Sequence, residues 1–439
     1  MRRLLGRKTD GIVLATLVLA GSSSVFAQDL NLEDILNLNV EVVSASKVSE
    51  KASEIPFAIF VLTSDDIRRS GVTTIADAIA LVPGAYSEHM TNNSQTLTIR
   101  GFGGGLAQFS NKLLVLMDGR TLYSPIFSGV YWDLVDYALE DIDRIEVIRG
   151  PGATAWGANA VHGVINIITK NAKNTQGFLV SASTGNVEKA STTIRYGGKA
   201  NEDKLNYRLF AKYYSRGESE AYNDTTFFPD LGIRTHAFDG STTTRLGFRS
   251  DYTLDSKNNI TGLANWSTGT ADHQVAVFSY SSPFVEVKDL IARQTTGNAL
   301  VKWDHSFNDT HHLYGQYYYD KYTKYVPNSG HSVKTHDVEF VDSLDLGRWS
   351  FFVSQFNLRR YKIDADLTNK VLTFGGQKIK SITQTNWNLS LQDKVNIIQD
   401  KVYITAGAKY ENIEIASDEI SPSIKVHWKI NDKTFVGRL

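Results

Sequence analysis

The chain contains no cysteine among its 439 residues and has almost no net charge. The absence of cysteine excludes disulfide scaffolds, thiolate metal sites and cysteine nucleophiles. The 46 basic and 47 acidic residues give a formal net charge of -1, which provides no overall basic footprint for nucleic acid. The length suits two or three ordinary domains, so composition alone leaves the fold open.

Long apolar runs are scarce as well. The run from Gly11 to Ala20 follows the basic residues Arg2 and Arg3, and a small-residue stretch after it ends at Val25 to Ala27. This pattern predicts a cleaved secretory signal peptide over residues 1–27. Elsewhere no stretch reaches 18 apolar residues, so we expect any membrane crossing by the exported protein to use β-strands.

Motifs that carry chemistry are missing too. No GxxxxGK[ST] phosphate loop is present, and the glycines at 101, 103, 104 and 105 open no dinucleotide-binding unit. Five histidines cluster near predicted turns or loops but lack a carboxylate at metal-ligand spacing: His305, His311, His312, His331 and His336. We therefore expect a protein that is not an enzyme and has neither a cofactor nor a metal site.

Aromatic residues are abundant but unevenly placed. Residues 1–176 hold 12 of them, whereas the 263 residues from Gly177 onward hold 36. The second region also alternates apolar and polar residues with a period of two, as from Leu205 to Tyr213 and from Ile424 to Ile430. Such stretches last eight to twelve residues, which suits tilted membrane strands of about 9 to 11 residues.

The connections between these stretches alternate in length. Short polar turns are predicted at Ala200 to Asp203, Ser256 to Asn259, Asn308 to Thr310, Gln399 to Asp400 and Asn431 to Lys433. Long polar segments are predicted at Arg216 to Gly240, Thr268 to Arg293, Tyr322 to His336, Lys362 to Ile379 and Ile413 to Ser421. Short turns at one end and long loops at the other are typical of an outer-membrane barrel. A soluble sandwich is the competing interpretation, but its strands average about five to six residues.

Residues between Gln28 and Lys170 follow a mixed pattern. Ala58 to Leu62 is strand-like, and the Thr63 to Asp66 segment that follows can cap a helix. Ile75, Ile79 and Val82 trace a helical stripe. Three further strands are predicted at Lys112 to Asp118, Ile142 to Arg149 and Val161 to Thr169. These elements indicate a compact α+β domain.

Several strings in this domain resemble the plug of TonB-dependent outer-membrane receptors. The clearest is IDRIEVIRGPGATAWGANAVHGVINIITK at Ile142 to Lys170. LTIRGFG at Leu97 to Gly103, LVLMDGRTL at Leu114 to Leu122 and IRRSGVTTIADAIALVPG at Ile67 to Gly84 match further plug segments in the right order. The resemblance is specific over about Val40 to Lys170 and only architectural over the barrel.

The resemblance implies a domain organisation and a function. We expect an N-terminal extension over residues 28–46, an α+β plug over 47–172, and a membrane all-β barrel over 173–439. The family would make the protein a receptor in the Gram-negative outer membrane that takes up a scarce nutrient, such as a ferric siderophore or cobalamin. Its partners would be a TonB-type energy-transducing protein, outer-membrane lipid and the small-molecule nutrient, without nucleic acid. An adhesion or signalling surface without transport is the alternative function.

The resemblance also assigns candidate site residues. A segment similar to a TonB box comprises Val40, Glu41, Val42, Val43, Ser44, Ala45 and Ser46, and the first strand of the plug is the competing interpretation of the same residues. Arg100, Arg149 and Glu146 are the candidates for locking the plug in the barrel. Ligand contacts are expected from the outward plug loops, through Phe102, Gln108, Phe109, Tyr123, Tyr131 and Trp132.

The barrel region is short for this family. At one strand per roughly 20 residues it offers about 12 or 13 strands, whereas plugged transporters have 22. A barrel of about 12 strands is too narrow for such a plug, because diameter grows with strand number. We therefore expect an incomplete barrel whose C-terminal part is missing, in a fragment or a non-functional truncated product.

Overall fold

The computed structural model describes residues 41–44, 47–48, 50–51, 58–101, 112–150, 156–157, 159–219, 237–278, 285–326, 329–366, 381–399, 401–414, 417–431 and 434–438. The predicted signal peptide, Val40, Ala45, Ser46, Phe102, Gln108 and Phe109 lie outside these residues.

The first part of the chain forms a small α+β unit. Its strands are β1 (Glu41–Val42), β2 (Glu50–Lys51), β3 (Ala58–Thr63), β4 (Ala85–Thr91), β5 (Ser94–Ile99), β6 (Leu113–Met117), β7 (Arg120–Thr121), β8 (Ile142–Arg149) and β9 (Gly163–Thr169). Its helices are α1 (Ser64–Ser70) and α2 (Ile75–Ile79), with short 3₁₀ turns at Leu139–Asp141 and Ala172–Thr175. Five strands build one mixed sheet in the order β3-β8-β9-β6-β7, and β4 pairs with β5 in a separate hairpin.

Local sequence signals account for much of this unit. Thr63 and Asp66 form a reciprocal capping box at the start of α1, and Gly71 ends that helix in the left-handed conformation. Asp118 and Gly119, with φ of 51° and 87°, make the two-residue turn that joins β6 to β7. The apolar face of α2 packs into the core that the mixed sheet shares with the β4–β5 hairpin, and Ile75 and Ile79 are fully buried there.

The second part forms one antiparallel sheet of 13 strands in chain order. The strands are β10 (Gly177–Ser183), β11 (Glu188–Ala200), β12 (Leu205–Arg216), β13 (Ser241–Thr253), β14 (Asn258–Phe278), β15 (Val285–Asn308), β16 (His311–Val326), β17 (Ser329–Asp345), β18 (Ser350–Asp366), β19 (Ile382–Ile398), β20 (Val402–Ile413), β21 (Glu419–Asn431) and β22 (Thr434–Arg438). The 13 strands in the described residues agree with the 12 or 13 predicted at one strand per roughly 20 residues. In the described part of the chain, β10 and β22 do not pair with each other, so the sheet is a partial barrel.

The outer face of this sheet is apolar and its inner face is polar. Leu209 is 49% exposed while its neighbour Arg208 is 0% exposed, and Leu389 and Ser390 show the same contrast on β19. Polar side chains thus face the plug, and apolar side chains face outward. This arrangement is the reverse of that in a soluble protein and is typical of a membrane barrel. The predicted membrane barrel with an N-terminal α+β plug is thus the observed fold.

Two predicted long loops are instead paired strands. Most of Thr268 to Arg293 belongs to β14 and β15, which pair from Ala271↔Ala292 through Phe278↔Val285. Most of Tyr322 to His336 likewise belongs to the β16–β17 hairpin. Loops were predicted there because these segments are polar. A strand that continues beyond the bilayer is exposed to water on both faces, yet it keeps its hydrogen bonds to the neighbouring strand. The turn between β17 and β18 was not predicted.

The two ends of the sheet differ in their connections. One end is reached by the last residues of β11, β13, β15, β17, β19 and β21, and there two to four residues of the chain separate consecutive strands; it is hereafter the turn end. The other end is reached by the last residues of β10, β12, β14, β16, β18 and β20, and there 2 to 24 residues separate consecutive strands; it is hereafter the loop end. Among the described residues, no helix has both the length and the apolarity needed to cross a membrane.

Candidate functional site

Opposite charges hold the plug against the first half of the sheet. Asp141 of the plug contacts Arg195 at 2.6 Å and Arg208 at 3.4 Å, and both Asp141 and Arg208 are fully buried. Asp136 contacts Lys212 at 2.7 Å. Such buried pairs add little net stability, but breaking one leaves a buried charge unpaired. The pairs therefore fix the position of the plug inside the sheet.

In the second half of the sheet the plug side supplies charges of both signs. Lys47 contacts Glu339 of β17 at 2.5 Å, and Arg120 pairs with Asp320 of β16. Asp133 in turn contacts Lys324 of β16 at 2.8 Å, and Glu50 contacts Lys394 of β19 at 2.9 Å. Gly119, next to Arg120, packs so closely that a Cβ there would lie 2.7 Å from the Gln316 side chain. The plug and the wall are thus complementary in shape and charge along several consecutive strands.

The N-terminal segment is docked on the plug. Val42 is fully buried in a small apolar cluster with Val61 and Ile148. One carboxylate oxygen of Glu146 accepts the backbone N–H groups of Val43 and Ser44 at 3.0 and 2.9 Å, and it also accepts the Ser44 hydroxyl. Glu146 and Ser44 are fully buried, so these charge-assisted bonds are shielded from water.

Trp156 and Lys47 tie the same segment to the barrel wall. The Trp156 indole N–H donates to the Ser44 carbonyl at 2.6 Å. The Lys47 ammonium lies 4.3 Å from the centre of the Trp156 ring while it pairs with Glu339. A force on the chain before Ser44 would therefore reach both the plug and the wall.

The three residues proposed to lock the plug make contacts other than those expected. The Arg149 guanidinium donates to the Pro83 carbonyl at 2.9 Å, within the plug, and Arg100 is exposed with a φ of 58°. In the part of the chain that the structure describes, neither arginine contacts a barrel carboxylate. Glu146 receives Arg144 and the N-terminal segment instead. The plug–wall ion pairs are instead made by other residues, such as Asp141 with Arg208 and Asp136 with Lys212. The alternation of polar and apolar residues could not predict which plug residue meets which wall residue.

The plug apex carries an aromatic cluster at the loop end. Tyr131 lies 4.3 Å from Phe127 and 5.8 Å from Tyr322 of the barrel, and its hydroxyl is 3.2 Å from His331 Nε2. Lys324 lies over the Tyr131 ring at 4.8 Å. Burial, and secondarily the charge of nearby Asp133, raises the pKa of the Tyr131 phenol, so this hydroxyl stays protonated and can donate a hydrogen bond.

The other apical candidates divide between cavity and core. Tyr123 lines the same plug–wall cavity as Tyr131, together with Tyr322 and Asp320. Trp132 is only 4% exposed because it packs in the plug core. It was expected to contact the ligand, and the structure shows a core residue instead.

A second apical contact was not predicted. At the tip of the β4–β5 hairpin, the Asn93 amide donates to the carbonyls of Gly240 and Asp272 at 3.1 and 2.6 Å. The neighbouring Asn92 N–H donates to Asp239 at 2.9 Å. The Asn-Asn pair between two alternating segments was the available signal, because such pairs favour tight turns.

The five histidines singled out in the sequence do not gather into one cluster. His311 contacts Asp342 at 2.8 Å, and His331 packs in the apical aromatic cluster. Among the described residues, no group of three or more potential ligands could hold a metal ion.

Comparison with known proteins agrees with this architecture. Residues 51–164 match the model of the TonB-dependent Receptor Plug Domain family, inside the plug predicted over 47–172. The chain thus contains a plug domain of the TonB-dependent receptor type. It is 29% identical over 176 residues to the vitamin B12 transporter BtuB of Vibrio vulnificus (strain CMCP6), covering 40% of this chain and 27% of the relative.

Another relative covers more of the barrel. The iron-regulated outer membrane virulence protein of Vibrio cholerae is 28% identical over 275 residues, which cover 61% of this chain and 39% of that protein. The chain therefore spans less than half the length of these curated relatives.

Solved receptors share the fold at low sequence identity. A mutant of the ferric enterobactin receptor of Pseudomonas aeruginosa, in complex with enterobactin, has a TM-score of 0.66 and 17% identity over 85% of this chain and 61% of that one. The ferripyoverdine receptor of the same organism has a TM-score of 0.65 and 14% identity, covering 90% of this chain and 57% of its own. Identities this low show the fold alone.

Proposed function

We propose that this chain acts in an outer-membrane receptor that takes up a scarce nutrient with energy supplied from the inner membrane. The observation that carries this proposal is a plug that contacts the wall toward both ends of the sheet. Its aromatic apex meets the wall at the loop end, through Tyr131 and His331. Its N-terminal part meets the wall nearer the turn end, where Lys47 pairs with Glu339 of β17 and Glu50 pairs with Lys394 of β19. In outer-membrane barrels the short turns are periplasmic and the long loops extracellular, so the plug links the two compartments.

The proposed ligand is a ferric siderophore, cobalamin or a similar solute too large for simple diffusion. The names of the two relatives, a vitamin B12 transporter and an iron-regulated outer membrane protein, support this class. The apical cavity supports it as well, because aromatic rings and a few convergent polar groups such as Tyr123, Tyr131 and Asp320 suit a medium-sized polar ligand. Phe102, Gln108 and Phe109 are proposed as further ligand contacts.

The proposed energy-transducing partner is a TonB-type protein that binds Val40 to Ser46. β-Augmentation is the proposed mode, because main-chain hydrogen bonds then supply affinity and a paired strand transmits force. The docked state supports a two-step sequence, since Val42 is buried and the N–H groups of Val43 and Ser44 are occupied by Glu146. The segment must leave Glu146 before those groups can pair with a partner strand.

The test replaces Val42 and Val43 together by proline, which removes two backbone donors. Cells that carry the receptor are given radiolabelled cobalamin or ferric siderophore, and surface binding and accumulation are measured separately. We expect Val42→Pro/Val43→Pro to keep surface binding and to lose energised accumulation. The matched control, Val42→Thr/Val43→Thr, retains the donors and the β-branched shape and should transport.

Undiminished accumulation by the proline variant would contradict energised uptake through this segment. Specific surface binding of the wild type with no accumulation would instead support the adhesion or signalling alternative. The protease resistance of the plug confirms in each case that the variant has folded.

A further inference from the structure

A row of three lysines crosses the outer face of the sheet in register. Lys321 on β16 is paired with Lys334 on β17, which is in turn paired with Lys362 on β18. Adjacent strands lie about 4.8 Å apart, so the row spans roughly 10 Å. Lys321 and Lys362 are exposed, whereas the inward-facing Tyr318 and Tyr361 are buried. The row therefore lies on the face of the sheet that points away from the plug.

The next row toward the turn end adds two more basic side chains. His336 is paired with Arg360, and both are exposed on the same outer face. His336 Nδ1 lies 2.9 Å from the Tyr317 hydroxyl, which holds the imidazole against the wall. Five basic groups thus occupy two adjacent rows of three adjacent strands.

These groups have no anionic partner within the described part of the chain. None of the three lysines, nor Arg360, forms a salt bridge with a described carboxylate, although Asp364 lies one row closer to the loop end. Like charges placed directly opposite each other on neighbouring strands are destabilising. A multivalent anion that bridges the ammonium groups would therefore stabilise this part of the sheet.

The position of the row selects the type of anion. Two rows toward the turn end lies an apolar row, Val301, Tyr317, Val338, Leu358 and Trp387, aligned across five strands. The separation of four residues corresponds to about 13 Å. On the other side follow the polar residues Thr323, Ser332 and Asp364. The lysines thus stand where the apolar band gives way to a wet surface, at the depth of lipid headgroups.

We propose that Lys321, Lys334, Lys362 and Arg360 form a binding site for a phosphate-bearing lipid headgroup of the leaflet at the loop end. Lysine ammonium groups are compact point charges that bind phosphate oxygens well, and the apolar rows below accommodate the acyl chains. A lipid held here would brace the β16–β18 wall, whose inner face carries Tyr322 and Glu339. The inference depends on the barrel lying in a membrane and is independent of TonB and of the nutrient.

The experiment measures lipid binding to the whole chain in detergent micelles by native mass spectrometry. The probe is bis-phosphorylated lipid A, compared with the same lipid after enzymatic removal of its phosphates. The test variant carries Lys321→Gln, Lys334→Gln and Lys362→Gln. The matched control carries Lys204→Gln, Lys257→Gln and Lys401→Gln, three exposed lysines at the turn end. Both variants lose three positive charges.

We expect the test variant to bind the phosphorylated lipid about a hundredfold more weakly, since each lysine near an anionic lipid surface contributes roughly a fivefold factor. The control variant and the conservative Lys321→Arg/Lys334→Arg/Lys362→Arg variant should bind like the wild type. If the triple glutamine variant does not fold, the single Lys334→Gln change should still weaken binding about fivefold.

Three results would overturn the proposal. One is equal binding of the phosphorylated and dephosphorylated lipids by the wild type. The second is an equal loss of binding in the test and control variants, which would show general attraction instead of a site. The third is competition by inorganic phosphate alone at the affinity of the lipid, which would make the site one for the free anion.

Discussion

At the scale of single residues, Glu146 is the most connected group of the candidate site. One of its carboxylate oxygens holds two backbone N–H groups and a hydroxyl of the N-terminal segment, and the other receives Arg144 at 2.8 Å. The family resemblance proposed Glu146 for plug locking, but the structure uses it to dock the segment before the plug. A buried carboxylate satisfied in this way is a clamp whose strength depends on its charge.

Replacing Glu146 by glutamine should therefore release the segment without unfolding the plug. Hydrogen bonds to a charged group contribute roughly 1.5 to 3 kcal/mol each, and glutamine keeps the shape but not the charge. We expect cleavage of the Val43–Ser44 region by a broad-specificity protease to accelerate at least about tenfold in Glu146→Gln.

The matched control is Glu88→Gln, an exposed glutamate on β4. Its cleavage pattern should equal that of the wild type. Equal protection of the segment in Glu146→Gln and wild type would show that apolar burial of Val42, and not the carboxylate, holds it.

At the scale of elements, the β4–β5 hairpin connects the plug apex to the wall. The Asn93 amide, 7% exposed, bridges the Gly240 and Asp272 carbonyls, and the Arg216 guanidinium donates to the Asn92 carbonyl at 3.0 Å. The hairpin is thereby fixed to the start of β13 and to β14. These contacts cross the plug–wall boundary near the loop end.

Asn93→Ala should free this hairpin from the wall. The change removes both bonds and leaves two carbonyls without that donor, at a cost of about 1 to 3 kcal/mol. Hydrogen exchange of the β4 and β5 amides should then rise about tenfold, while exchange in the β8–β9 pair stays unchanged. Asn201→Ala, in a turn at the opposite end, is the control, and unchanged exchange in Asn93→Ala would contradict a clamping role.

Sequence reasoning predicted the elements better than the contacts between them. The strands β3, β6, β8 and β9 and the capping box at Thr63 followed from apolar runs and local capping signals, and Leu209 and Leu389 face outward as the alternation required. Local patterns could not pair Asp141 with Arg208, because those residues are 67 positions apart and meet only when the sheet curves around the plug. The burial of Trp132 was missed for the same reason, since an aromatic side chain in a loop can equally well contact a ligand or pack in the core.

At the scale of the whole molecule, the two faces of the sheet define two environments. Inside, charges such as Arg208 are paired with the plug, and outside, residues such as Leu209 and Trp266 are exposed. A sheet exposed to water on that outer face would present a far larger apolar patch than soluble proteins tolerate. The apolar face is accordingly explained by lipid contact, which can be tested through one outward position.

Leu209→Lys should destabilise the barrel in a bilayer by about 2 to 4 kcal/mol, because a lysine near the membrane midplane loses its hydration. The control, Ser215→Lys, places the same charge on the outer face of the same strand near its loop end, where the expected cost is about 0 to 1 kcal/mol. Stability is measured by urea-driven unfolding in phosphatidylcholine vesicles, followed by the electrophoretic mobility of unheated samples. The side chain of Leu209 already lies 49% exposed, so a surface facing water would accept lysine without loss. Equal stability of the two variants in vesicles would therefore exclude the lipid-facing assignment of this wall.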